Sequence, residues 1–270
     1  MASNNNGWAL ITGGTSGIGL ELAKLFADKG YNLVIVARAQ QELDKTAEEI
    51  SKLYGVEVQS ISKDLFEPNG PFEVYDEVKA RGIQVDVLVN DAGQGQYGLF
   101  VETDIHRELQ IIQLNIAAYL ILTKQFLKEM VGRKNGKILQ VASIAGKLPG
   151  PYQSVYHATK AFILSHTMAL VNELKDTGVT ITALLPGATD TDFFHKAEME
   201  DAKMIREDKD SLADPADVAK DGFEALMNGE SKVVSGFKNK LQTTLSNVMP
   251  DSLVSAQMAK QMEPSSEESK

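Results

Sequence analysis

Six short runs rich in branched aliphatic residues recur along this 270-residue chain: WALIT from Trp8, YNLVIVA from Tyr31, VEVQSI from Val56, VDVLVN from Val85, GKILQVA from Gly136 and VTITALL from Val179. Each suits a strand buried on both faces. Helical periodicity fills the intervals. Ile18, Leu22, Leu25 and Phe26 share one face after the first run, and Ile105, Leu109, Ile112, Ile116 and Leu120 mark a long helix after the fourth. Strand–helix repeats of this kind build a parallel sheet covered on both sides. Right-handed crossovers then wind it into a Rossmann-like, doubly wound α/β sheet, of about seven strands once KVVSG from Lys232 is included.

No linker breaks the alternation, so residues 7–262 are expected to form a single Rossmann-like domain, with 1–6 and 263–270 disordered. The pattern lapses at 190–212, which mixes charges with Phe193 and Phe194. DPADVAKDGFEALMNG from Asp214 then reads as a capped helix with Pro215 in its first turn. The segment 237–262 is weakly amphipathic, either a packed C-terminal helix pair or a partner surface. With 43% apolar residues a large core is available. The net charge of -10 lacks the basic stripe of a nucleic-acid binder, and the absence of cysteine excludes disulfides and thiolate chemistry. MASNNNG is no signal peptide, and no apolar run approaches the roughly 18 residues of a membrane span. A cytoplasmic protein with neither nucleic-acid nor membrane partner is expected.

The stretch TGGTSGIG, Thr12 to Gly19, joins the first strand to the first helix. Glycine there serves either a tight turn or the close approach of a ligand to backbone. Helix N-termini present free amides and a positive dipole end to phosphate. Companion motifs favour the ligand. NDAG, Asn90 to Gly93, follows the fourth strand, Ser143 the fifth, and PGATDT, Pro186 to Thr191, the sixth. Tyr156 and Lys160 in YHATK share a helical face at i and i+4. All fall at or just after strand C-termini, where open α/β sheets bind ligands.

With these ordered motifs, residues 7–236 resemble the short-chain dehydrogenase/reductase family, in its short single-domain branch. The resemblance implies hydride transfer between a nicotinamide cofactor and a carbonyl or secondary alcohol. It makes Tyr156 the general acid/base, with Ser143 bonding the substrate oxygen. Lys160 holds the nicotinamide ribose, and Asn115 a water on the proton path. A neighbouring ammonium should also lower the tyrosine pKa. The glycine turn (Gly13, Thr15, Ser16, Gly17, Ile18, Gly19), Asp64, Leu65, Asn90, Ala92, Gly93, Pro186, Gly187, Thr189 and Thr191 become cofactor contacts, with Tyr156 and Lys160. The family has asparagine where this chain has Asp91, for which a structural role beside the adenosine is expected.

At the end of the second strand stands Arg38, with no acid before Glu42. A guanidinium suits a 2′-phosphate where an acid would suit the hydroxyl of NAD, so NADP(H) is favoured. Gln94, Gln96, Tyr97, Phe193 and Phe194 are candidate pocket walls, and 190–212 a candidate substrate lid. The four histidines show no metal-ligand spacing, so no metal is expected. His157 reads as packing and His195 as a candidate substrate contact. A non-catalytic NADP(H)-binding regulator on the same fold is the alternative. Family members assemble through the regions 104–130 and 153–175, which implies a homodimer or homotetramer.

Overall fold

The computed structural model describes residues 6–207, 212–246 and 249–264. Seven parallel strands, β1 (Trp8–Thr12), β2 (Asn32–Ala37), β3 (Val58–Ser62), β4 (Val85–Asn90), β5 (Gly136–Val141), β6 (Val179–Leu185) and β7 (Lys232–Val234), lie in the order β3-β2-β1-β4-β5-β6-β7. The order reverses between β1 and β4, which opens a crevice at their C-terminal ends.

Helices α1 (Gly17–Asp28), α2 (Gln40–Tyr54) and α9 (Pro215–Met227) cover one face. Leu22, Phe26, Leu43, Ile50 and Phe223 pack there on Ile11, Ile35 and Val89. The other face is covered by α3 (Gly70–Ala80), by α4 (Ile105–Ile112) running on into α5 (Tyr119–Gly132), and by α6 (Ser154–Glu173), through Val74, Val78, Leu122, Phe126 and Leu170. The capping aspartates at 104 and 214 each accept the amide two residues on, at 3.0 and 2.8 Å.

Two expectations change here. The long helix is not continuous α-helix: Gln113–Ala118 forms a π-turn between α4 and α5, and Asn115 sits within it. Its apolar stripe also faces outward. Ile105 and Leu109 are more than half exposed, because Glu108, Ile111, Leu114 and Asn115 take the inward positions. At the two ends, residues 6, 263 and 264 are bonded to the body. Asn6 donates its amide to Gly30 O at 3.1 Å, Lys203 N donates to Glu263 O at 3.0 Å, and Pro264 bridges to Ala202. Residues 1–5 and 265–270 lie outside the described residues.

A third apolar cluster stands apart from the two sheet cores. Short helices α7 (Phe193–Lys196) and α8 (Lys203–Glu207) pack with α11 (Asp251–Met262), joining Leu148, Met199, Ile205, Val254, Met258 and Met262. α10 (Phe237–Leu245) leads into it from β7. The C-terminal segment is thus packed against the 190–212 region, whose residues 208–211 lie outside the described residues. Among the described residues no helix is long and apolar enough to cross a membrane, and no cluster of metal-ligand type occurs.

Candidate active site

A cleft of about 1430 Å³ runs across the C-terminal ends of the strands, from Arg38 and Phe66 at one end to Met258 and Met262 at the other. The glycine turn forms its floor. Gly17 holds φ at 53°, a left-handed value, and a Cβ there would stand 2.9 Å from Thr191 Cγ2. The turn and the segment after β6 therefore meet over the N-terminus of α1, leaving a cradle of backbone amides that suits a pyrophosphate. At the far end Arg38 lies with its guanidinium carbon 5.2 Å from the Phe66 ring centroid. Arg107 approaches the same ring at 5.1 Å and donates to the Gln94 side chain. Amides, glycine turn and cation together fit a phosphorylated dinucleotide.

Gly13, Thr15, Ser16, Gly17, Ile18, Arg38, Asp64, Leu65, Ala92, Gly93, Pro186, Gly187, Thr189 and Thr191 all line this cleft. Asn90 does not. Its amide nitrogen donates to Thr123 Oγ1 at 3.0 Å and Gln140 Oε1 at 2.9 Å inside the sheet, so its side chain braces β4 and β5. Gly19 lies beneath the floor, a Cβ there falling 2.5 Å from Gly13 O and 2.6 Å from Asp91 Oδ2.

Of the four polar side chains singled out in the sequence, Ser143, Tyr156 and Lys160 line the cleft, while Asn115 is buried behind its wall. Ser143 caps the 3₁₀ turn after β5, its Oγ accepting the Ala145 amide at 3.1 Å and donating to Pro186 O at 3.3 Å, and it faces the Tyr156 phenol. Lys160 Nζ, one helical turn on, lies 5.8 Å from the Tyr156 ring centroid and donates to Val141 O at 2.8 Å. Asn115 clamps the chain after β4: its Oδ1 accepts Gln94 N at 3.0 Å, and its Nδ2 donates to Gln94 O at 2.8 Å and Thr159 Oγ1 at 2.9 Å. The π-turn supplies the extra backbone length that aims Asn115 inward.

The electrostatics differ from the sequence expectation at one point. Burial pushes Tyr156 up to about 12, against the opposing hydrogen bond from Ser143, and the nearby Asp91 adds to the rise. Burial outweighs any lowering by the lysine. Tyr156 is therefore a protonated phenol at neutral pH, ready to give a proton. Burial lowers Lys160 from its ordinary value, and Asp91 opposes that fall. Asp91 thus acts electrostatically on both Tyr156 and Lys160.

At the other end of the cleft, Phe193 stands 5.0 Å from Tyr156, centroid to centroid, and Phe194 packs edge-on against it at 5.7 Å. Gln153 Nε2 donates to Met199 Sδ at 2.9 Å, and Tyr97 N to Ala197 O at 2.9 Å, which seats the 193–199 stretch on the body. His195 points away, its Nδ1 paired with Glu200 Oε1 at 2.5 Å in solvent, so it is no pocket wall. His157 is buried on Leu148 O at 2.8 Å, a packing residue with a depressed pKa that keeps it neutral. Sequence reading missed Phe66, Arg107, Leu148, Gln153, Met258 and Met262 as cleft or cleft-edge residues. For the last two a signal existed: Val254, Met258 and Met262 repeat at intervals of four.

Residues 7–202 match the family model described as short chain dehydrogenase. The very-long-chain 3-oxoacyl-CoA reductase of Bos taurus is 35% identical over 185 residues, covering 66% of this chain and 58% of that protein. The match thus spans less than two thirds of that relative's length. Among solved structures, a short-chain dehydrogenase from Sphingobium yanoikuyae in complex with NADPH superposes with a TM-score of 0.79 at 26% identity, covering 90% of this chain and 96% of that one. The bulky-bulky ketone specific alcohol dehydrogenase from Comamonas testosteroni gives 0.76 at 25% identity, over 92% and 96%.

Proposed function

Since the chain belongs to the short chain dehydrogenase family, we propose that it reduces a bulky, partly hydrophobic carbonyl compound with NADPH, and catalyses the reverse oxidation of the secondary alcohol. The observation that carries this reading is the Ser143–Tyr156–Lys160 group beside the glycine turn. When bound, the cofactor supplies or accepts the hydride. The Ser143 hydroxyl polarises the substrate carbonyl, and Tyr156 donates its phenolic proton to the oxygen as negative charge develops there. Lys160 keeps a positive charge beside the phenol, which stabilises the tyrosinate left behind. Asn115 holds the backbone at Gln94 so that this wall keeps its shape.

Arg38 supports NADP(H) over NAD(H), because its guanidinium can pair with a 2′-phosphate at the mouth of the adenosine end. The sulfur- and aromatic-rich cap of Met199, Met258, Met262, Phe193 and Phe194 supports a hydrophobic substrate, since thioethers adapt to irregular apolar shapes. The names of similar proteins point the same way, toward bulky ketones or 3-oxoacyl thioesters. The outward stripe of Ile105, Leu109 and Ile112 supports a homodimer or homotetramer.

A spectrophotometric panel of bulky ketones and 3-oxoacyl thioesters, run with NADPH and NADH in parallel, tests the reading. Turnover with NADPH is expected on at least one hydrophobic member. Tight NADPH binding with no turnover on any member would make the protein a dinucleotide-binding regulator instead.

A further inference from the structure

Asp91 puts a carboxylate under the catalytic floor. Its own amide and that of Ala92 both donate to Thr12 Oγ1 at 3.1 Å, which fixes the backbone after β4. The carboxylate reaches beneath the glycine turn. Oδ2 lies 2.6 Å from the position of a Cβ on Gly19 and 3.1 Å from that on Gly13; burial pushes the carboxyl pKa up to about 7, against the Lys160 charge and a hydrogen bond from the Gly19 amide, which both hold it down. That amide belongs to the first turn of α1, so the helix dipole also favours the negative charge. Lys160 lines the same cleft, 5% exposed, with its Nζ 3.4 Å from the position of a Cβ on Gly93, beyond direct ion-pair distance of the carboxylate. The hydrogen bond its amine makes within the chain is to a neutral carbonyl, that of Val141. A buried ammonium is costly unless an opposite charge is near.

We propose that Asp91 is a positioning residue: gripped by the glycine turn, its carboxylate is the counter-charge that keeps the Lys160 ammonium charged and in place beside Tyr156. The proposal rests on the reading of Lys160 as part of the reactive group. The titratable groups facing Asp91 are Lys160 and Tyr156, both from α6; β1 offers the Thr12 hydroxyl and α1 its amides. Burial lowers Lys160 and Asp91 raises it. Removing the carboxylate therefore lets Lys160 lose its proton at lower pH. Tyr156, held near 12, does not titrate in that range, and Asp91, near 7, does so only at its acid end, away from the alkaline fall.

Asp91→Asn keeps the size and an acceptor for the Gly19 amide while deleting the charge. NADPH binding, followed by cofactor fluorescence without turnover, and kcat/KM for carbonyl reduction are measured from about pH 6 to about pH 9.5. The alkaline fall is expected about one pH unit lower in the variant in both profiles, so the variant-to-wild-type ratio drops about tenfold across the range. A variant weakened by one constant factor, with its alkaline fall unmoved, makes Asp91 a purely structural residue and overturns the proposal. If no carbonyl turns over, the catalytic reading fails, while the binding profile still decides on Asp91. Should the variant not fold, ¹³C spectra of the lysine ε-carbons in the wild type decide. A Lys160 signal that titrates in two steps, the lower from Asp91, supports the counter-charge; a single step overturns it.

Discussion

The two ends of the cleft are made of different material. The dinucleotide end is mostly backbone: turns directly after β1, β2, β3 and β4 supply amides, glycines and one arginine, each within a few residues of a strand end. The substrate end is side chains, drawn from Leu148, Phe193, Phe194, Met199, Met258 and Met262, which are far apart in sequence and packed in a cluster separate from the sheet. Backbone on a seven-stranded sheet cannot shift much, because every strand is held by its neighbours. A methionine-rich cap can repack at small cost. The first end suits one invariant ligand, the second a family of shapes.

The sharpest test of this contrast lies between the two ends. Tyr156→Phe removes the proton donor and keeps the ring, so turnover should fall by about 10²–10⁴-fold while NADPH affinity stays nearly unchanged. Steady-state rates and fluorescence titration check both halves, and a matching loss of affinity would tie the phenol to the dinucleotide end. Next in size, Arg38→Asp places a carboxylate at the expected phosphate position. The ratio of kcat/KM values for NADPH and NADH should shift about 10–100-fold toward NADH, on the order of one lost charge-assisted bond plus repulsion. An unmoved ratio would leave Arg38 as a partner of Phe66 only.

The smallest effect is expected at the cap. Replacing both Phe193 and Phe194 with alanine should reorder the preference among bulky carbonyls by about tenfold, in the 1–3 kcal/mol range of lost apolar contact. Thermal unfolding should move less than for a sheet-core aromatic such as Phe26, since both rings belong to the satellite cluster and remain partly open. A melting shift of core size with an unchanged substrate profile would remove the distinction between the two ends.

Legibility followed the same division. Strand–helix alternation, the glycine turn and the strand-end motifs are local patterns, and Ser143, Tyr156 and Lys160 do meet in space as their places after β5 and on α6 imply. Asn90 misled because a residue at a strand end can point into the sheet as easily as into the crevice, and Gln140 and Thr123 were waiting inside. The sequence left His195 open, and α7 turns it to solvent beside Glu200. The outward face of Ile105 and Leu109 also escaped, since apolar periodicity gives a helix its stripe without saying what the stripe meets.

By itself the amino-acid order determined the doubly wound sheet, the place of the glycine turn and the spacing of the reactive residues. Those depend on periods of two and 3.6 and on backbone preferences, which act over a few residues. The tertiary structure alone decided that Tyr156 is buried enough to stay protonated, that Asp91 shares a buried cleft with Lys160, and that α11 closes over Leu148 and Met199. Desolvation and charge pairing depend on what lies within a few ångströms in space, and those neighbours come from strands and helices that only the folded chain brings together.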